Sequence, residues 1–220
     1  MYQLVIFDLD GTLLNTVADL AASTNFVLKK NGFPQHEISE FYFYIGNGIN
    51  KLFERALPEG EKNDENILKL RKDFLHHYDN HNTDLTIPYD GIDKLLKNLQ
   101  KKGINMAVAS NKYHSGTVKL INHYFPDISF SAILGQREGV PVKPDPAIVN
   151  EILSLTGIKS ENTLYVGDSG VDMETANNSG VTAIGVTWGF RPKSELEMFS
   201  PAYIVNHPDE ILKKLRARKE

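Results

Sequence analysis

The 220-residue chain holds 41% hydrophobic and 24% charged residues, ordinary proportions for a soluble globular protein with room for one large domain or a core plus a smaller one. A net charge of −4 and a pI near 6.0 give no global field for nucleic acid, so an anion site must be built locally. Zero Cys excludes disulfides, thiolate metal sites and cysteine nucleophiles, and the apolar runs are too short to span a bilayer.

The first element is the apolar run Leu4-Val5-Ile6-Phe7, a predicted strand over residues 3–8. It ends in acids rather than forming a basic-then-apolar leader, so a cytoplasmic location is expected, with no membrane partner. From residue 15 to 86 the pattern is helical, over 17–30, 50–56 and 66–80, with turn chemistry at Asn31-Gly32-Phe33-Pro34 and Pro58-Glu59-Gly60. Pro88-Tyr89-Asp90-Gly91 then opens a helix over 92–102. Strands over 104–110, 131–134, 163–168 and 182–186 alternate with helices over 115–122, 146–156 and 171–179. Gly103, Gly157 and Gly180 follow helices, where a left-handed residue commonly ends them. The strands are near-continuously apolar, as parallel strands buried on both faces are. The expected fold is therefore α/β. A doubly wound, Rossmann-like parallel sheet is built by residues 1–14 and 87–220, and a small α-helical cap by 15–86. Residues 213–220 read as a charged helix end or a frayed tail.

The chemistry begins at Asp8-Leu9-Asp10-Gly11-Thr12. Such a motif arises by chance on the order of once in 10⁵ start positions, so accident is a poor explanation. Alone it also suits an acidic cap for the next helix. Asp8 is placed as a nucleophile, because a carboxylate attacking phosphorus splits one difficult hydrolysis into two easier steps. A cation must then stand between carboxylate and phosphate. Asp10 is placed to protonate the leaving oxygen and later to deprotonate water. Val166-Gly167-Asp168-Ser169-Gly170-Val171-Asp172 repeats the design, an apolar strand followed by acids in a Gly-rich helix start. Oxygen ligands from two strand ends suit Mg²⁺. Asp168 is the better direct ligand, while Asp172, with Ser169, supports the metal shell. Ser110-Asn111 closes a strand and offers a hydroxyl and N–H donors, though strand-to-helix turns favour the same residues. Lys143, stiffened by Pro144 and Pro146 and the one cation of Val142-Lys143-Pro144-Asp145-Pro146, is the phosphate-neutralising cation.

These four segments, in this order, resemble the haloacid dehalogenase superfamily over essentially the whole chain. The resemblance implies that Asp8 is the nucleophile and Asp10 the acid/base. It implies that Ser110 and Lys143 bind the phosphoryl group beside Gly11, Thr12 and Asn111. Asp8, Asp168 and the Asp10 backbone carbonyl would hold Mg²⁺. The presence of Asp10 argues against dehalogenase chemistry itself. The 15–86 region resembles the cap of phosphoglycolate phosphatase-like members, as do Gly46-Asn47-Gly48 and Gly185-Val186-Thr187-Trp188-Gly189. Asn15-Thr16 departs from the Asp-Ser that many relatives carry at the cap hinge.

Gly46 and Asn47, heading a helix, are candidate substrate residues, because a free helix N-terminus suits a small anion. The same sequence also suits a plain helix-start turn. His77 and His81 have metal-binding spacing but no third ligand, and read as a solvated face. Phe41, Tyr42, Phe43 and Tyr44 lack interleaved basic residues, and so read as cap packing rather than a nucleic-acid platform. Arg191 has only its loop position to bring it to substrate. The expected function is Mg²⁺-dependent hydrolysis of a small phosphorylated metabolite, 2-phosphoglycolate first, by a monomer or homodimer. Pyrophosphate, sugar phosphates and nucleotides are alternative substrates. A phosphoglucomutase-type transferase and a non-catalytic phospho-receiver module are the competing classes.

Overall fold

The computed structural model describes residues 1–216 and is built on a six-stranded parallel sheet. Its strands are β1 (Leu4–Phe7), β4 (Asn105–Tyr113), β5 (Ala132–Gln136), β6 (Thr163–Gly167), β7 (Thr182–Val186) and β8 (Tyr203–Val205). Their order is β5-β4-β1-β6-β7-β8. β1 is flanked on both sides, with Leu4 opposite Asn105 of β4 and Thr163 of β6. All four β1 residues are fully buried, which is why the run shows no polar alternation. The chain crosses from β1 to the β4–β5 side and then returns to β6 on the other. Open α/β sheets bind ligands in the crevice beyond the strand ends at such a reversal.

Alternate residues of each strand serve opposite cores. Val5, Phe7, Val108 and Val166 pack with α5 (Ile92–Lys101), α6 (His114–Tyr124) and α10 (Asp209–Lys214). Leu4, Ile6, Ala109 and Tyr165 pack with α7 (Ala147–Thr156), α8 (Gly170–Ser179) and α9 (Lys193–Met198).

Residues 17–81 carry α1 (Val17–Lys30), α2 (Ile38–Tyr44), α3 (Ile49–Ala56) and α4 (Asp64–His81). They form a third apolar cluster around Leu28, Phe41, Phe53, Phe74 and Tyr78. Phe74 stacks on Tyr78 at 5.1 Å and meets Phe53 edge-on at 5.7 Å. Entry and exit of this helical module are pinned together. β2 (Leu14–Asn15) pairs antiparallel with β3 (Ile87–Pro88), and the Asp19 carboxylate accepts the Leu85 and Thr86 N–H groups at 2.9 and 2.8 Å. Phe190, from the loop after β7, also packs into the module's cluster.

Several elements differ from the sequence expectation, among them β2, β3 and α9, which it did not contain. α2 forms over the aromatic run, its start closed by the Glu37 N–H donating to the Glu40 carboxylate at 2.9 Å. β4 continues past residue 110 to Tyr113 through a register shift, keeping Ser110, Asn111 and Lys112 buried. β8 adds a sixth strand of only three residues. α10 ends at Lys214; of the charged stretch expected over 213–220, residues 217–220 lie outside the described residues. Among the described residues no helix is long and apolar enough to cross a membrane.

Candidate active site

The carboxyl ends of β1, β4 and β6 and the loop before α7 converge on one point. The Asp8 N–H donates to Val166 O at 2.9 Å, extending the β1–β6 ladder by one residue. The chain then folds sharply, with the N–H groups of Leu13 and Leu14 both reaching the Leu9 carbonyl at 3.0 Å. Gly11 makes this fold (φ +89°), and a Cβ there would overlap the Asp168 carboxylate. Thr12 donates its hydroxyl to Asp168 Oδ1 at 3.3 Å. The first acidic segment therefore packs directly on the second.

Lys143 is the hub. Its ammonium donates to Asp8 Oδ1 at 2.9 Å, Asp172 Oδ1 at 2.7 Å and the Tyr165 hydroxyl at 3.0 Å, matching the three donors an ammonium carries. The Asn111 carboxamide holds its backbone from both sides. The Lys143 N–H donates to Asn111 Oδ1 at 2.8 Å, and Asn111 Nδ2 donates to the Lys143 carbonyl at 3.1 Å. The same Nδ2 reaches Gly46 O, between α2 and α3, at 3.0 Å. Asn111 thus ties the strand end, the Lys143 loop and the helical module together.

Each acid has distinct partners. Asp172 caps α8, accepting the Ser169 hydroxyl at 2.6 Å and the Ser169 N–H at 3.1 Å, and it also accepts the Tyr165 hydroxyl at 3.3 Å. Asp168 accepts the Phe190 N–H at 2.7 Å. Asp10 accepts the Thr16 hydroxyl at 2.7 Å and faces the Lys112 ammonium at 3.3 Å. Lys112 donates onward to the Tyr78 hydroxyl of α4 at 2.9 Å. The Ser110 hydroxyl accepts the Lys112 N–H at 3.2 Å. Between this edge and the module lies a cavity of about 40 Å³, walled by Asp8, Asp10, Ser110 and Lys112 below and by Leu20, Leu52 and Phe74 above.

Charge does not balance here. One oxygen each from Asp8, Asp168 and Asp172 lie within 4.8 Å of one another, and all three side chains are buried. Burial raises the Asp8 carboxyl from 3.8 to about 7 against the pull of Lys143, with Asp172 adding to the rise. Burial and Asp172 also hold Asp168 well above the usual carboxylate range. Burial disfavours the Lys143 ammonium, but the attraction of Asp172 and Asp8 outweighs it and leaves its pKa well above normal. Three carboxylates against one ammonium form a hard-oxygen donor set with excess negative charge. That set fits a divalent cation such as Mg²⁺. Asp172 already accepts four donors, so Asp8 and Asp168 keep more capacity for a metal.

Asp8, Asp10, Gly11, Thr12, Ser110, Asn111, Lys143, Asp168, Ser169 and Asp172 thus gather at one place, and Gly46 lines the cavity with them. Asn47 is turned aside, its Oδ1 accepting Arg55 Nη2 at 2.8 Å. His77 stacks on Phe26 and His81, with Nδ1 3.1 Å from Ser23 Oγ. Among the described residues the Asp8 cluster alone groups metal-ligand types. Phe41 is buried and Tyr42 packs on Phe190 at 5.6 Å, as expected of cap packing, whereas Phe43 is exposed. Sequence reasoning missed Lys112, Tyr78 and Tyr165 and set Arg191 aside. Lys112 had one available signal, its position directly after Ser110-Asn111. Tyr78 and Tyr165 read as ordinary core aromatics.

Comparison with known proteins extends the geometry. The model of the haloacid dehalogenase-like hydrolase family matches residues 5–186. A phosphoglycolate phosphatase of Mesorhizobium japonicum is 30% identical across 98% of this chain and 95% of its own length. Phosphoglycolate phosphatase 1 of Pseudomonas aeruginosa is 33% identical across 96% of this chain and 78% of its own. A crystal structure described as a predicted phosphoglycolate phosphatase from Haemophilus somnus superposes with a TM-score of 0.89. It is 29% identical and covers 96% of this chain and 97% of its own.

Proposed function

The chain belongs to the haloacid dehalogenase-like hydrolase family, and from that premise we propose that it is a Mg²⁺-dependent phosphatase acting on 2-phosphoglycolate. The observation that carries this reading is the buried Asp8 carboxylate, held 2.9 Å from Lys143 at a sheet reversal and facing two further acids. Asp8, Asp168 and the Asp10 backbone carbonyl would hold Mg²⁺, which would supply the positive charge that lets a carboxylate approach a phosphate dianion. Lys143, exchanging one of its present partners for the substrate, and the Ser110 hydroxyl hold phosphoryl oxygens as charge spreads over them.

An Asp8 oxygen attacks phosphorus, forming an acyl-phosphate while the bond to the leaving oxygen breaks. Asp10, aimed by Thr16 and Lys112, gives that oxygen its proton. It then takes a proton from the water that attacks phosphorus, releasing inorganic phosphate and restoring Asp8. Residues 15–86 act as a cap that excludes bulk water during these steps.

The substrate reading rests on the activity named for the relatives. The test compares kcat/KM for phosphoglycolate, pyrophosphate, sugar phosphates and nucleotides in Mg²⁺. Phosphoglycolate should rank first. Release of phosphate from none of them would reject the phosphatase reading, and a different leader would reject only the substrate.

A further inference from the structure

Arg191 follows β7 in the loop that also supplies Phe190, and its side chain is 10% exposed. Nη2 donates to Ile45 O at 2.9 Å, at the end of α2, and Nε lies 3.5 Å from the Glu195 carboxylate. Nη1 is buried and has no hydrogen-bond partner among the described residues. A buried charged donor left unpaired costs more than a hydrogen bond returns, so such a group calls for an acceptor. Arg191 lines the same recess as Asp8, Asp10, Lys143, Asp168 and Gly46. None of those acids comes within ion-pair distance of it. Gly46 lies beside it, where a Cβ would stand 3.7 Å from Nη2.

Charge around the Gly46 loop favours an anion. Arg55 donates to the Phe43 and Tyr44 carbonyls at 3.0 and 2.9 Å and to Asn47 Oδ1. Burial, then repulsion from Arg191, lowers the Arg55 pKa, so the two guanidinium groups feel each other. Their other partners on this loop are neutral carbonyl and carboxamide oxygens. Lys112, the other cation near Asp10, is already committed to Asp10 and Tyr78.

We infer that Arg191 is a specificity residue whose free Nη1 receives an anionic oxygen of the leaving group, so that the enzyme selects short phosphomonoesters bearing a carboxylate. The inference rests on the phosphatase reading above and adds what recognises the far end of the substrate. Gly46 carries no side chain beside the guanidinium, and the backbone contacts of Nη2 fix the guanidinium in place. The arginine therefore serves both as a tie to the helical module and as a receptor.

The test uses two two-carbon esters, 2-phosphoglycolate and ethyl phosphate; a carboxylate stands in the first where the second has a methyl group. Wild-type protein should prefer phosphoglycolate in kcat/KM by about 10- to 100-fold, the worth of one hydrogen bond to a charged group. Arg191→Met should collapse that ratio toward one. Arg191→Lys, which restores the charge without the fork, should recover part of it. A wild-type ratio near one overturns the inference without any variant, and so covers the case in which Arg191→Met does not fold. An equal loss on both esters also overturns it, assigning Arg191 to the phosphoryl group or to a purely structural tie. Turnover of both esters with a flat ratio leaves the phosphatase reading standing, whereas turnover of no phosphoester removes that reading itself.

Discussion

The sheet edge and the helical module meet at one cavity but are built differently. At the edge, charged side chains hold one another: Lys143 joins Asp8, Asp172 and Tyr165, and Asn111 clamps the Lys143 backbone. The module offers mainly apolar walls and backbone oxygens, with Leu20, Leu52 and Phe74 above the cavity and the Gly46 carbonyl at its rim. The edge is a preorganised electrostatic device whose parts fail together, and the module is a shape whose parts fail one at a time. Under the proposed function, chemistry belongs to the edge, and choice of substrate to the seam where Arg191, from the loop after β7, ties the edge to the module.

The largest break in that contrast is Asp8→Asn. It should lower kcat by at least about 10³-fold, as removal of a nucleophile does, with a melting temperature no lower than wild type. Steady-state kinetics beside a thermal melt checks both. Lys143→Met comes next. It strands Asp8 and Asp172 without a cation and should cost about 3–5 kcal/mol of stability as well as activity, read by urea unfolding. Phe74→Ala, in the module, should cost a similar 3–5 kcal/mol through its cavity, yet raise KM more than it lowers kcat. Asn111→Ala cuts the tie between the regions and should cost about 1–3 kcal/mol, with both kcat and KM worsening.

The smallest effect is a linkage. The Asp8 carboxyl in the folded protein titrates at about 7 rather than 3.8, so between those values the folded chain keeps a proton that the unfolded chain has lost. Stability from this group is therefore full below the lower value and falls as pH rises through about 7. A divalent cation relieves the deficit. Saturating Mg²⁺ should raise the melting temperature of chelator-treated protein by roughly 5 °C near pH 8, and by less near pH 5.

Legibility in the sequence followed the same division. Asp8, Asp168 and Lys143 stood out because each breaks a local rule, an acid ending an apolar strand or a lone cation between prolines. β1 and β6 were readable because burial on both faces leaves an unbroken apolar run. Lys112 was not, because β4 continues through Ser110-Asn111-Lys112, polar residues that locally read as a turn and are buried only through tertiary contacts. β8 escaped because three residues at a sheet edge carry no pattern of their own. α2 escaped because its aromatic run has no polar face at helical spacing. The helical region as a whole could be read, but Asn47 looked toward substrate in the sequence and in space turns to Arg55. Loop side chains are aimed by partners far away in the chain, and no local spacing encodes them.

The central claim is that Asp8 carries the phosphoryl group between substrate and water. Protein mixed with phosphoglycolate and Mg²⁺, quenched in acid within the first turnover and digested, should yield the Asp8 peptide with one phosphoryl group added, and Asp8→Asn should yield none. Phosphate release at the wild-type rate with no phosphopeptide on Asp8, or turnover by Asp8→Asn above a few per cent of wild type, would contradict it.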